Sequence, residues 1–486
     1  MLDRKLKNKA FNGAAWSFLD KIINQLSVAI LLIYLSNILA PSDFGLIAML
    51  SVFIAISQSI IDSGFTQALI HKSHSANESD FSTVFYTNLI LSVFLYLLFY
   101  ALAPAIANFY NQDDLISVSR ILFLSFIFNA FSIVPRAKLT INIDFKRQTI
   151  VNTIAVFVSI VVAVVAVKNT WGYWSLVFMT LSKSFVSSLL LIIVCKWLPK
   201  KRFSKKSFSQ LFGFGSNLLI SGLIATFVQN LYTIILGRFF NPYQVGLYHQ
   251  GYYYTNTLSF TLTSIIQGVT FPILTSIKDE KEKMLNTYQT AIQITALISF
   301  PVFMGFAAVS ESFVLVFLGD EWKDIVPVLI ILSFARALTP ISSLNLYVLN
   351  VSGRTDLFLR ADLVKIPVLV LLLFIALPYG VIGVSICQLV LSVIAYFINA
   401  YFPAKLYGFK LTDQMKPMFP VVISSIIMYI VVIQINYNDL FLELLARVFV
   451  GIIVYCSCII LFRVPFAVDI VEKIINKVRC HKYDGS

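Results

Sequence analysis

Charge is what this chain has least of. Only 13% of its 486 residues are Asp, Glu, Lys or Arg, where a soluble chain carries ~25%. That shortage excludes a soluble enzyme and a disordered chain, both of which need a solvated polar surface. Cysteine is scarce too: Cys195, Cys387, Cys456, Cys458 and Cys480 are all there are. A disulfide-stapled secreted domain is thereby excluded, and four of the five lie in or beside apolar segments, as small core residues do. Cys456 and Cys458 point ~200° apart on a helix and cannot share a metal. No G-x-x-x-x-G-K-[ST] occurs, so no ATP-driven motor of that kind is built in. Gly213-Phe214-Gly215 lacks the third glycine and a preceding strand, and reads as a helix start. Nothing in the residues calls for a cofactor. Acid is scarcer than base, 24 against 37, for a net charge of +13. In a soluble protein that excess would suggest nucleic acid, so where it sits has to be settled.

What is abundant is apolar surface: 58% of the residues, with a mean hydropathy of +0.84. At ~20 residues per span this suffices for ~14 spans. The runs are continuously apolar, which excludes an outer-membrane barrel. They place helices at 12–38, 43–70, 82–109, 115–141, 148–168 and 173–196, then at 211–238, 245–275, 287–317, 325–351, 356–377 and 381–403, and finally at 416–434 and 441–462. Most connections are short. The longest, Trp197 to Gln210, is basic and splits the chain. The stretch from Gly13 to Leu39 is too long for a signal-peptide core and has no small-x-small cleavage site, so it reads as a retained first helix.

Orientation follows from Lys and Arg in the loops. The side bearing the N-terminus and every second loop holds 24 of them; the other side holds Lys168, Arg238 and Lys323. Both termini are therefore expected in the cytoplasm. These charges set topology and meet anionic headgroups; they do not indicate nucleic acid. In the tail, Val471, Ile474, Ile475 and Val478 recur at helical spacing among Lys473, Lys477 and Arg479, which suits a helix lying on the membrane surface.

The chain also resembles itself. Ala40-Pro41-Ser42-Asp43-Phe44-Gly45-Leu46 matches Asn241-Pro242-Tyr243-Gln244-Val245-Gly246-Leu247 at an offset of 201. Leu124-Ser125-Phe126 matches Leu332-Ser333-Phe334, Asn142 matches Asn350 and Gly172 matches Gly380, all at 208. An even number of helices separates the partners, so the repeat is parallel, about an axis along the membrane normal. The expected fold is an all-α polytopic membrane protein of about 14 transmembrane helices. It comprises a cytoplasmic N-terminus (1–11), an N-lobe of helices 1–6 (12–196), a basic cytoplasmic linker (197–210) and a C-lobe of helices 7–12 (211–403). Helices 13 and 14 (404–462) and a cytoplasmic amphipathic tail (463–486) follow. The two pseudo-symmetric six-helix lobes are expected to enclose a central cavity.

Ten bases fall inside these helices, against five acids: Asp20, Asp62, Glu311, Asp362 and Glu443. A charge at the bilayer centre costs ~2.5–3.5 kcal/mol and usually faces a partner or a wet cavity. Arg120, Arg360, Lys416 and Arg447 sit within about two turns of a helix end and are expected to snorkel. Lys21, Lys183, Arg336 and Lys365 lie roughly three turns in, too deep to reach a headgroup. Asp362 and Lys365, three apart on one face, leave an internal ion pair open as an alternative. Arg136 and Lys138, at the cytoplasmic end of helix 4, either guard a cavity mouth or snorkel. The candidate substrate-binding groups are thus Lys21, Lys183, Arg336, Lys365, Arg136 and Lys138. Asp62, Glu311 and Asp362 are the candidates for a coupling ion. Base in excess of acid at depth points to an anionic ligand such as a phosphate or a uronic acid. Of Tyr252, Tyr253 and Tyr254, at most one or two can line a cavity, for sugar stacking or for packing.

Several segments resemble one family. Helix 2 runs into helix 3 as Asp62-Ser63-Gly64-Phe65-Thr66-Gln67-Ala68-Leu69-Ile70 and then Phe81 to Phe85. Helix 3 ends at Ala103-Pro104 through Phe109-Tyr110, and Phe145-Lys146 and Gly172-Tyr173-Trp174-Ser175-Leu176-Val177 follow. Pro242 to Tyr248 and Asn350 to Asp356 agree in the second half. Over roughly residues 10–410 the pattern resembles the oligosaccharide flippases of Wzx type, O-antigen and colanic acid exporters. These form the polysaccharide transporter branch of the multidrug/oligosaccharidyl-lipid/polysaccharide exporter superfamily. The resemblance implies a transporter and not an enzyme, placed in the bacterial inner membrane. It would flip undecaprenyl-pyrophosphate-linked oligosaccharide units by alternating access, for O-antigen, capsule or exopolysaccharide. Proton or sodium coupling, membrane lipids, and a polysaccharide polymerase with its chain-length regulator are the implied partners. No residue role transfers, because the family has no sharp motif. A peptidoglycan-precursor flippase and a multidrug cation antiporter are the alternatives; the basic interior argues against the second.

Overall fold

The computed structural model describes residues 2–62, 64–72, 75–277 and 280–464, and every regular element in them is helical. Packing divides the chain into two units, Met1–His249 and Gln250–Ser486. The first holds α1 (Leu2–Ser36), α2 (Pro41–Asp62), α3 (Phe65–His71), α4 (Glu78–Tyr110), α5 (Asp114–Leu122), α6 (Ser125–Ile141), α7 (Phe145–Lys168), α8 (Trp174–Cys195), α9 (Lys205–Phe239) and the first turns of α10 (Pro242–Ser276). The second continues along α10 and adds α11 (Lys281–Phe313), α12 (Val326–Ala337), α13 (Thr339–Val351), α14 (Thr355–Ala376), α15 (Gly380–Tyr407), α16 (Leu411–Met415), α17 (Phe419–Val432) and α18 (Leu440–Leu461).

Eleven stretches of the described residues are long and apolar enough to cross a membrane. One of them, Thr355–Tyr407, contains both α14 and α15, while α9 and the 14-residue α17 come in addition. Each of the fourteen expected spans therefore falls on helix. Three expected as continuous are broken. Helix 2 stops at Gly64, whose φ of 67° is left-handed backbone that glycine adopts without strain. Helix 10 breaks at Leu338, ahead of Pro340, which has no N–H to continue the ladder. Helix 4 breaks at Phe123 and Leu124 without a proline or glycine to explain it. The amphipathic tail expected over 463–486 lies, from residue 465 onward, outside the described residues.

α4 shows why these sequences pack as they do. Ile90, Phe94 and Leu97 repeat at helical spacing on its exposed side, while Asn88 and Ser92 are wholly buried. Large apolar groups facing outward and small or polar groups facing inward is the pattern of a helix solvated by lipid. In the first unit α7 packs on α8 and α1, α6 on α8, and α9 on α2, α4 and α3. α9 follows the basic connection 197–210, and the first unit runs on past it to His249.

In the second unit a buried polar network joins four elements. Gln414 of α16, 1% exposed, donates its amide to Tyr288 Oη at 2.7 Å and Asn345 Oδ1 at 3.2 Å. It accepts from Tyr396 Oη at 3.2 Å, and Tyr288 also donates to Asn345. Short α16 is thereby fixed between α11, α13 and α15, and it leads directly to the hairpin α17–α18, which packs on α11. Within the network Asn345 Oδ1 accepts from both Tyr288 and Gln414, while its Nδ2 is buried without a hydrogen-bond partner among the described residues.

Candidate functional site

In the first unit the charges gather around Asp20. Its carboxylate accepts from Asn24 Nδ2 at 2.7 Å and from Asn152 Nδ2 of α7 at 3.1 and 3.3 Å. Arg136 of α6 lies within electrostatic reach of Asp20 and Asp62, and Lys183 of α8 within reach of Arg136 and Asp20. Asp62, the last residue of α2, accepts from the Thr66 hydroxyl at 2.5 Å across the Gly64 break. Arg136 and Lys183 are both exposed on their helices. Neither makes an ion pair within 4 Å among the described residues. Lys21 is exposed on α1, next to Asp20. Two expected cations, Arg136 and Lys183, and one expected carboxylate, Asp62, thus come together with Asp20 from α1, α2, α6 and α8.

The second unit holds Arg336. Its guanidinium carbon lies over the Tyr252 ring of α10, 4.6 Å from the centroid. Its Nε and Nη2 are buried and have no hydrogen-bond partner among the described residues. Those two N–H groups form one edge of the guanidinium, the geometry that grips two oxygens of a carboxylate or phosphate at once. One face is held by an aromatic ring and one donor edge is left over. Tyr252 is the ring that meets this cation.

The remaining cations are already engaged. Lys138 is bonded to Glu78 at 2.8 Å and sits over the rings of Phe81 and Trp197 at 4.5 and 4.7 Å. Lys365 is paired with Asp362 at 2.6 Å, the internal pair that their spacing allowed. Glu311 is exposed in the last turn of α11. Arg447, expected to snorkel, does not: its side chain is 4% exposed and ion-paired to Glu443 at 3.0 Å. It also donates to Ser312 Oγ, Ile435 O and Asn436 Oδ1. A partner one turn away, helped by a loop carbonyl, removes the need to reach the headgroups.

Beside that pair the second unit has an apolar cavity of about 400 Å³ between α10, α11, α17 and α18, lined by Leu258, Phe306, Val309, Met428 and Ile452 among others. Among the described residues no group of three or more His, Cys, Asp or Glu could hold a metal ion. Sequence reasoning missed Asn152 and Tyr252 as partners, because both come from a different helix than the charge they hold. Asn24, four residues after Asp20, was within its reach.

A helical membrane transporter built of long spans with basic groups inside is the class this fold and site define. Residues 34–327 match the family described as polysaccharide biosynthesis protein, more than half of the chain, so the chain belongs to that family. The family is one of flippase-type transporters and not of enzymes, as its resemblance implied. The teichuronic acid biosynthesis protein TuaB of Bacillus subtilis (strain 168) is 25% identical over 98% of this chain and 99% of its own. The lipopolysaccharide biosynthesis protein WzxC of Escherichia coli (strain K12) is 24% identical over 81% of each. Among solved structures, the lipid II flippase MurJ in an inward closed conformation superposes with a TM-score of 0.73, at 15% identity, over 93% of this chain and 99% of that one. At that identity the likeness shows the fold.

Proposed function

We propose that this protein flips an undecaprenyl-pyrophosphate-linked oligosaccharide across the bacterial inner membrane for surface polysaccharide assembly, by alternating access and with both termini in the cytoplasm. The observation that carries this reading is the Arg336 guanidinium, midway along the apolar stretch Asp320–Val351, with its Nε and Nη2 buried and unpartnered among the described residues. An unpartnered charge there is costly, and a pyrophosphate is the ligand class that matches both its sign and its fork. Arg136, Lys183 and Lys21 supply further cations in the first unit. Lys138 and Lys365, being paired, contribute less. The apolar cavity between α10 and α18 suits part of a prenyl chain. Of the carboxylates, Asp62 is the better placed for a coupling proton or sodium ion, since Asp362 is tied to Lys365. Both Glu311 and Asp62 are testable by neutralisation to Gln and Asn.

The test is leaflet-resolved detection of lipid-linked repeat units in a strain lacking this protein and any redundant exporter. Accumulation on the cytoplasmic leaflet, relieved by the wild-type chain but not by Arg336→Ala at equal expression, is the expected result. Units reaching the outer leaflet at the normal rate without the protein would end this reading. Relief of a peptidoglycan-precursor block instead would transfer it to that substrate.

A further inference from the structure

The connection between α8 and α9 is clamped, not slack. The Trp197 indole N–H donates to Glu78 Oε2 at 2.8 Å. The Lys201 amide donates to Ser82 Oγ at 3.2 Å and the Ser204 amide to Thr83 Oγ1 at 3.1 Å. Trp197 itself is 5% exposed and packs edge-on against Phe81 and Phe85. Three hydrogen bonds and two ring contacts thus tie this connection to the first two turns of α4.

What the clamp presents is positive. Lys196, Lys200, Lys201, Arg202, Lys205 and Lys206 are all exposed, with no acid anywhere from 196 to 210. None of the six is in an ion pair among the described residues. The nearby acids are engaged elsewhere: Glu78 with Lys138 and Trp197, and Asp80, 1% exposed, with Lys72 at 3.0 Å. Two large apolar side chains stand out in the same stretch, Leu198 at 61% and Phe203 at 46% exposure. A loop whose charges serve only to set topology needs neither a fixed backbone nor exposed apolar anchors.

We propose that residues 196–206 are a binding surface for anionic phospholipid headgroups of the adjoining leaflet. The cations meet the headgroup phosphates while Leu198 and Phe203 enter the acyl boundary, the division of labour by which peripheral basic segments hold anionic membranes. Because the segment is bonded to α4 and continues into α8 and α9, lipid bound there holds the ends of three helices at the membrane surface. This inference does not depend on the identity of the transported substrate.

The experiment uses the full-length protein in nanodiscs of phosphatidylethanolamine with and without phosphatidylglycerol, reading lipid retained by native mass spectrometry. The wild-type chain is expected to enrich phosphatidylglycerol, and K200Q/K201Q/R202Q/K205Q to lower that enrichment about tenfold or more. Raising the salt concentration is expected to release the lipid from the wild-type chain, as screening requires. L198S/F203S, which keeps every charge, is expected to weaken retention by a smaller factor. An unchanged preference in the fourfold variant overturns the proposal. Should that variant fail to insert, a wild-type preference indifferent to salt, together with full retention by L198S/F203S, overturns it equally. Displacement of the lipid by soluble inorganic pyrophosphate at comparable concentration would assign the surface to free phosphate and overturn it as well.

Discussion

Gly45 of α2 and Gly246 of α10 approach so closely that a Cβ on either would stand 1.8 Å from a carbonyl oxygen of the other's helix. For Gly45 that oxygen belongs to Pro242, and for Gly246 to Pro41. The relation is reciprocal, and the residues are those that the internal sequence match pairs at an offset of 201. Two related segments have come together backbone to backbone, each opening with a proline and each needing a glycine at the crossing. Small residues at such crossings are what lets membrane helices gain van der Waals contact. Gly45→Ala and Gly246→Ala are each expected to destabilise the protein by about 1–3 kcal/mol, the range for overpacking, read as a lower melting temperature in detergent. Gly213→Ala, with nothing within 4 Å of its Cβ, is the control and is expected to be neutral or slightly stabilising.

The Arg447–Glu443 pair predicts an asymmetric mutational response. Each side chain is under a tenth exposed, and Ser312 bonds to both. Removing one partner, as in Glu443→Gln or Arg447→Met, strands a buried charge or its donors and is expected to lose about 3–5 kcal/mol. Replacing both by Leu and Met is expected to restore most of that loss. Melting temperatures of the single and double variants decide it; equal losses in singles and double would contradict the account.

Arg336 and Tyr252 predict a split between charge and shape. Arg336→Lys keeps the charge but loses the planar guanidinium and its two-donor edge. It is expected to reduce transport nearly as far as Arg336→Ala. Tyr252→Phe keeps a ring under the guanidinium and is expected to retain most activity. Tyr252→Leu removes a stacking worth ~0.5–2 kcal/mol and is expected to lower transport several-fold at unchanged expression. Full activity of Arg336→Lys would show that only charge matters there.

The Trp197 clasp is open to limited proteolysis. Glu78→Gln weakens the charged partner that Lys138 and Trp197 share, and hydrogen bonds to a charged group are worth about 1.5–3 kcal/mol. Faster tryptic cleavage within 196–206 is the expected outcome, with the rest of the digestion pattern unchanged. Lys72→Gln, whose partner Asp80 keeps its capping bonds, is expected to have a smaller effect.

Much of the fold was legible because lipid imposes a simple rule: a span must be long, helical and apolar. Fourteen runs of that kind, and an internal match between Ala40–Leu46 and Asn241–Leu247, could be read without any contact being known. The pairing of Asp362 with Lys365 was open as an alternative, since spacing of three on a helix brings side chains together. The break at Gly64 was less visible, because a glycine inside an apolar run reads as tolerated until its left-handed φ is seen. The candidate site was only half legible. Depth along a helix identified Lys21, Lys183, Arg336 and Lys365 as unusual, but depth does not reveal partners.

What the sequence determined by itself, then, was the class of the molecule and the places where charge enters the membrane. Both depend on local composition and on the energy of burying a charge, which act residue by residue. Which of those charges are satisfied was decided only in three dimensions. Arg447 is neutralised by Glu443 and a loop carbonyl, Lys138 by Glu78 from another helix, and Asp20 is held by Asn152 from a third. Among the described residues Arg336 keeps its Nε and Nη2 unpartnered, beside a tyrosine that the chain delivers from 84 residues away. Hydrogen bonds and ion pairs fall off within a few ångströms, so their partners are set by how helices pack, and no one-dimensional pattern carries that.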